Sequence, residues 1–86
     1  MTESVMEEAE RLINGDRRTD YGDVHESFMA VAVGWSRIFG TTVTPQQVAL
    51  AMVWLKIMRQ VNAHKRDNLV DICGYTGLAA KLAGEA

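Results

Sequence analysis

Apolar residues recur at helical spacing in four segments of the chain, and no segment alternates clearly as a strand would. In residues 4–14 they follow Val5 at i+4, i+7 and i+8, which places them on one helical face. Ser4 followed by Glu7 predicts a capping box at the start of this helix. Gly15 after Asn14 predicts its end, with the glycine in the left-handed conformation.

The second and third predicted helices cover residues 23–39 and 45–62. Asp23 is a good N-cap for the second, and Gly40 is the expected stop. Thr44 followed by proline predicts the start of the third. This third helix is apolar nearly all round, so we expect it to be central, with its large side chains in the core or in a subunit interface.

The last predicted helix covers residues 67–83, with Asp67 as its N-cap. Gly74 and Gly77 lie inside it, and each costs the helix about 1 kcal/mol relative to Ala. Close approach of another helix backbone is the usual compensation, so we expect helix contact there. A short polar connector before this helix suits two antiparallel neighbours. The sequence therefore predicts one all-α domain over residues 1–86, built as a four-helix antiparallel bundle.

Composition narrows the class of protein. The chain has 86 residues, of which 48% are hydrophobic. That is a large share for a small monomer to bury, which favours a homo-oligomer that buries the excess between subunits. Its net charge of −2 argues against a general nucleic-acid binder. No apolar run reaches the ~18 residues of a membrane span, and the acidic N-terminus lacks the charge pattern of a signal peptide. We therefore expect a soluble cytoplasmic protein without a membrane partner.

Charged residues near the connector carry the candidate chemistry. Lys56 and Arg59 interrupt the apolar third helix one turn apart. Antiparallel packing would bring them to the polar start of the last helix, where Asp67, Asn68 and Asp71 lie. In one account these are ion pairs within the protein, formed by Lys56 or Arg59 with Asp71.

The second account is a ligand site. Asp67 and Asp71, with or without Glu26, would bind Mg²⁺ through carboxylate oxygens. Lys56, Arg59 and the free N–H groups of the helix start would hold phosphate, with Asn68 beside them. The residues of the chain leave both accounts open.

A polar loop over residues 15–23 adds a second group of candidates. Its glycines and aspartates suit a turn for backbone reasons alone. Arg17, Arg18 and Tyr21 are not needed for a turn. Arginine pairs with phosphate and tyrosine stacks on a base, so we predict that these three side chains cover a ligand. Tyr21 folding back onto the core is the alternative.

Several short motifs resemble a family of small phage-encoded proteins of uncharacterised function that are often described as MazG-like. The resemblance covers about residues 19–82. It rests on R-x-x-Y-G-D at 18–23, H-x-x-F at 25–28, T-P-x-x-V-A at 44–49, K-x-x-R at 56–59 and D-N-x-x-D-x-x-G-Y at 67–75. For a phage-encoded protein, the expected location is the host cytoplasm.

The last helix also resembles the second metal-binding helix of the all-α nucleoside triphosphate pyrophosphohydrolases. That resemblance implies a four-helix core, dimers or tetramers, Mg²⁺, and hydrolysis of a nucleoside triphosphate to monophosphate and pyrophosphate. The acidic E-x-x-D pair of that superfamily falls on Asn68 and Asp71. Its first pair, E-x-x-E on the preceding helix, has no match, and Lys56 and Arg59 stand about where those acids are expected.

Three hypotheses of function follow. The first is a Mg²⁺-dependent nucleotide pyrophosphohydrolase, in which Asp71 is a metal ligand and Lys56 neutralises phosphate charge, both counted as catalytic. The second is a non-catalytic oligomer that binds a nucleotide or another phosphate ligand through the same cations. The third is an interaction module that binds a host protein through its apolar helices. The sequence does not name the base, the sugar or the number of phosphates.

Overall fold

The computed structural model describes residues 2–16 and 23–85, and this part of the chain is helical without a strand. The prediction of an all-α protein is therefore confirmed at the level of secondary structure. None of the helices in the described ranges is long and apolar enough to cross a membrane. The helices are α1 (Val5–Arg11), which continues as a π-helical segment (Leu12–Asp16), α2 (Val24–Phe39), α3 (Pro45–Asn62) and α4 (Arg66–Leu82).

Three of the predicted helix starts are confirmed by hydrogen bonds. In α1, the Glu7 N–H donates to Ser4 Oγ at 3.0 Å, and the Ser4 N–H donates to Glu7 Oε1 at 3.0 Å. Thr44 forms the same kind of box at the start of α3. The Asp23 carboxylate accepts from two backbone N–H groups at the start of α2. The α2 stop at Gly40 is also confirmed, since its φ is 67°.

The predicted end of α1 at Gly15 is wrong. The chain continues as the π-helical segment through Asp16, and Gly15 does not have a positive φ. The reason lies in the packing of Ile13 against α4. A Cβ placed on Gly77 would lie 2.6 Å from Ile13 Cδ1, and one on Gly74 would lie 3.6 Å from Ile13 Cγ2. The two glycines thus do allow close approach, by a side chain of the π-helical segment rather than by a helix backbone.

The predicted N-cap of α4 is also wrong. Lys65 holds that position, without a side-chain capping bond, and Asp67 falls inside the first turn. The connector is held from α3 instead, because the Lys65 N–H donates to Gln60 Oε1 at 3.1 Å. Arg66 is anchored on the α1 side, where its guanidinium pairs with the Glu8 carboxylate. These contacts set the start of α4 one residue before Asp67.

Packing is open rather than bundle-like. The main pair is the α3–α4 hairpin; α1 packs on α4, and α2 packs on α3 and reaches α4 at its edge. Within the described ranges, α1 contacts neither α2 nor α3, so a closed four-helix bundle is not confirmed. The radius of gyration is 13.5 Å, against about 12 Å for a compact chain of this length.

The buried core is made of small side chains. Among the described residues, Val70 is the largest side chain that is fully buried. The predicted central position of α3 holds for one of its faces. On the other face Trp54 and Met58 are exposed and are not part of the protomer's core. In ranges 2–16 and 23–85, the buried apolar residues are Ala9, Ala32, Val48, Ala49, Val70 and Ala79.

Candidate functional site

A cavity of about 710 Å³ lies between α2, α3 and α4 and receives Ile13 from the π-helical segment. It exists because α2 packs mainly on α3 and touches α4 only at its edge. We call it the α2–α4 cavity. Its walls are largely apolar and include the aromatic rings of Phe28, Trp35 and Tyr75. Its polar side chains, besides the Tyr75 hydroxyl, are Asp23, His25, Ser27, Lys56, Asp71 and Lys81.

A buried ion pair forms part of the cavity wall. Lys56 Nζ lies 2.9 Å from Asp71 Oδ2, and the side chains are 17% and 6% exposed. Asp71 also has a further polar interaction. An ammonium group on an otherwise apolar helix needs such a partner. The sequence predicted an ion pair of Asp71 with either Lys56 or Arg59, and the structure shows the pair with Lys56.

Lys81 is a second cation in the same wall. Asp71, Tyr75, Leu78 and Lys81 follow each other at i, i+4, i+7 and i+10, so one face of α4 carries them into the cavity. The rise of a helix separates Asp71 and Lys81 by about 15 Å along the axis. Lys81 is half-buried and forms no ion pair with a residue of the described part. This spacing is the signal that could have identified Lys81 from sequence.

Arg59 and Asn68 belong to a different place. They line a smaller groove of about 290 Å³ at the α3–α4 connection, together with Met58 and Lys65. Asn68 is buried, at 7% exposure. The predicted cluster of cations, carboxylates and amide is therefore divided: Lys56 and Asp71 lie in the cavity, and Arg59 and Asn68 lie in the groove.

Of the three carboxylates predicted to bind Mg²⁺, Asp71 alone lines the cavity. Asp67 and Glu26 are exposed, and neither lines the cavity or the groove. The Asp71 carboxylate is engaged by the Lys56 ammonium. Across residues 2–16 and 23–85, no group of three His, Cys, Asp or Glu side chains could hold a metal ion. The Mg²⁺ site formed by Asp67 and Asp71, with or without Glu26, therefore stays a prediction.

The remaining predicted ligand residues cannot be placed. Arg17, Arg18 and Tyr21 lie outside the described residues. On either side of them, Ile13 and Asp23 both line the α2–α4 cavity. The aromatic wall was not predicted as part of a site, because Phe28 and Trp35 share the helical spacing of ordinary core residues.

Comparison with known proteins places the chain in a family. Residues 4–83 match the model of a domain of unknown function, DUF6378. The chain is 41% identical to the Gene 55 protein of Mycobacterium phage L5 over 81 residues, covering 92% of this chain and 52% of that protein. It is 35% identical to the Gene 55 protein of Mycobacterium phage D29 over 86 residues, covering 99% and 57%.

The chain thus spans little more than half the length of these relatives. No solved structure matches it. The expected likeness to small phage-encoded proteins is confirmed, while none of these matches is to a MazG-like protein. The family match covers nearly the whole chain, and the protein belongs to the DUF6378 family, whose relatives here are phage proteins.

Proposed function

We propose that this protein binds a nucleoside phosphate in the α2–α4 cavity. The observation that carries the proposal is the cavity itself: about 710 Å³, with apolar and aromatic walls and a few buried polar groups. Small-molecule sites have this volume and this composition. A nucleoside phosphate has the matching parts, namely a flat base, a ribose with hydroxyl groups, and an anionic end.

Each part of the ligand has a counterpart in the wall. The rings of Phe28 and Trp35 offer apolar surface to the base. The Asp71 carboxylate can accept hydrogen bonds from a base amino group or a ribose hydroxyl. Lys81 is the partner for phosphate, because the Lys56 charge is already paired with Asp71 and that of Lys81 is not paired within the described ranges.

A direct test is titration calorimetry with a panel of ribo- and deoxyribonucleoside mono-, di- and triphosphates. A Lys81→Met variant loses one charged hydrogen bond, so we expect about 10- to 100-fold weaker binding. Lys65→Met is the matched control, since Lys65 is exposed and lies outside the cavity. In a Trp54→Phe background Trp35 is the remaining tryptophan, and its fluorescence should change with ligand.

Two results would contradict the proposal. One is the absence of binding by every nucleotide of the panel while the protein keeps its helical circular dichroism. The other is equal weakening by Lys81→Met and Lys65→Met, which would show a general charge effect rather than a site in the cavity.

Hydrolysis of a nucleoside triphosphate is a second candidate function. One observation favours it: Asp71, which carries the acidic position of the superfamily motif, lies buried in the wall of the cavity. Chromatography of each nucleotide after incubation with Mg²⁺ or Mn²⁺ tests it. Monophosphate and pyrophosphate that disappear in Asp71→Asn would establish the enzyme. Intact nucleotides together with measured binding would reject hydrolysis and leave the binding function.

A further inference from the structure

The outer face of α3 carries a continuous apolar stripe. It consists of Leu50, Trp54, Met58 and Val61, which follow each other at i, i+4, i+8 and i+11. They are 50%, 66%, 50% and 76% exposed. The opposite face of the same helix is turned inward, where Ala49 is fully buried. We refer to these four residues as the α3 stripe.

The protomer has no element that covers the stripe within the described ranges. α3 contacts only α4 and α2 there, and both pack on its other faces. The cost of this exposure is large for so small a chain, because the apolar side chains that are fully buried in the described part are alanines and valines. Contiguous apolar patches of this kind mark interaction surfaces.

We propose that the α3 stripe is the contact surface for a second copy of this chain, in a two-fold symmetric dimer. At roughly 180 Å² for a fully exposed large apolar side chain, the four residues present about 450 Å² on each copy. An isologous contact covers the same patch twice, so the stripe alone removes about 900 Å² from water. Leu55 flanks the stripe and is 46% exposed, so it adds about 170 Å² over two copies and brings the contact just above the roughly 1,000 Å² expected of a biological interface.

The charge pattern of α3 favours a second copy of the chain over a membrane surface or nucleic acid as the partner of the stripe. α3 has two charged residues, Lys56 and Arg59. Lys56 is paired inside the cavity wall, and neither belongs to the stripe. Helices that lie on membranes carry many cations on their polar face, and nucleic-acid surfaces need a basic stripe. An uncharged apolar face is complementary to a copy of itself. This inference does not depend on nucleotide binding, because the α2–α4 cavity opens on other faces of the helices.

Sedimentation equilibrium from micromolar to hundreds of micromolar protein tests the dimer, since dimer population depends on concentration. We expect Trp54→Glu to raise the dissociation constant at least 30-fold, as for a central interface residue. Val61→Glu is a second variant at the most exposed position of the stripe. The matched control is Ile38→Glu, which places the same charge at a 75% exposed position on α2 and should leave the dimer unchanged.

Three outcomes would overturn the proposal. The first is a folded wild-type monomer at every concentration. The second is a dimer that neither Trp54→Glu nor Val61→Glu weakens, which would place the interface elsewhere. The third is a monomer that floats with anionic phospholipid vesicles, which would assign the stripe to a membrane surface. Circular dichroism of every variant separates dissociation from unfolding.

Discussion

The Lys56–Asp71 pair permits a sharp test of what holds α3 to α4. We consider Lys56→Met, Asp71→Asn and the double variant. Methionine keeps the length of the lysine stem, and asparagine keeps the shape of the carboxylate, so each change mainly removes charge. The pair joins the two helices of the hairpin across 2.9 Å, with both side chains largely buried.

The magnitude follows from burial. Lys56→Met takes from the buried Asp71 carboxylate the ammonium that lies 2.9 Å away, while its further polar interaction stays, so we expect the free energy of unfolding to fall by about 3 kcal/mol, the lower end for a broken buried pair. Asp71→Asn leaves a less buried ammonium facing an amide oxygen, so we expect a loss of about 2 kcal/mol. The double variant removes both charges of the Lys56–Asp71 pair. Its loss should be about 3 kcal/mol rather than the 5 kcal/mol of independent sites, a coupling of about 2 kcal/mol.

Urea unfolding followed by circular dichroism at fixed protein concentration gives the four free energies of the cycle. At 4–8 °C per kcal/mol, Lys56→Met should also lower Tm by roughly 12–24 °C. Additive single losses would refute the reasoning, since they would show that the two charges do not interact. A loss below about 0.5 kcal/mol in Lys56→Met would equally refute it, because exposed ion pairs behave in that way.

Further predictions concern glycines, caps and pH. Gly34→Ala should stabilise α2 by up to ~1 kcal/mol, since in the described ranges no atom beyond its neighbours and its own helix backbone lies within 4 Å of the added carbon. Gly77→Ala must displace Ile13 and should lose that gain, and thermal melts compare the two variants. Thr44→Ala should cost about 1 kcal/mol in urea unfolding through its capping box. Hydrogen bonds from the Ser4 backbone and then from its side chain lower the pKa of Glu7. Its contribution to stability should therefore be present above the unfolded-state pKa and be lost as pH falls through the folded-state pKa. NMR titration of this carboxyl should give a midpoint below the ordinary pKa of a glutamate.

Local chemistry explains what could be predicted from the chain alone. The caps at Ser4, Asp23 and Thr44 depend on side chains within three residues of the backbone groups that they bind. The Lys56–Asp71 pair was foreseeable as one of two accounts, because a short connector sets the register of an antiparallel hairpin. The helical class and the approximate bounds of the helices followed from apolar spacing.

The predictions that failed share another cause: contacts with residues far away in the sequence override the local signals. The π-helical segment depends on the room that Gly77 leaves for Ile13. The start of α4 depends on the contacts that Gln60 and α1 make with the connector. Lys56 and Arg59 are three residues apart, so their side chains leave α3 in directions that differ by about 60° around the helix axis. Lys56 therefore lies in the wall of the α2–α4 cavity, whereas Arg59 lies in the groove at the α3–α4 connection.

The sequence by itself therefore determined that the protein is helical, where most of its helices begin, and that a lysine on the apolar α3 needs an anionic partner. The tertiary structure decided which faces meet. Because α2 reaches α4 only at its edge, a cavity remains between them, and because α3 uses one side for packing, its other side carries an exposed apolar stripe. A helix that is apolar all round fits either arrangement, and only the placement of its neighbours distinguishes its core face from its contact surface.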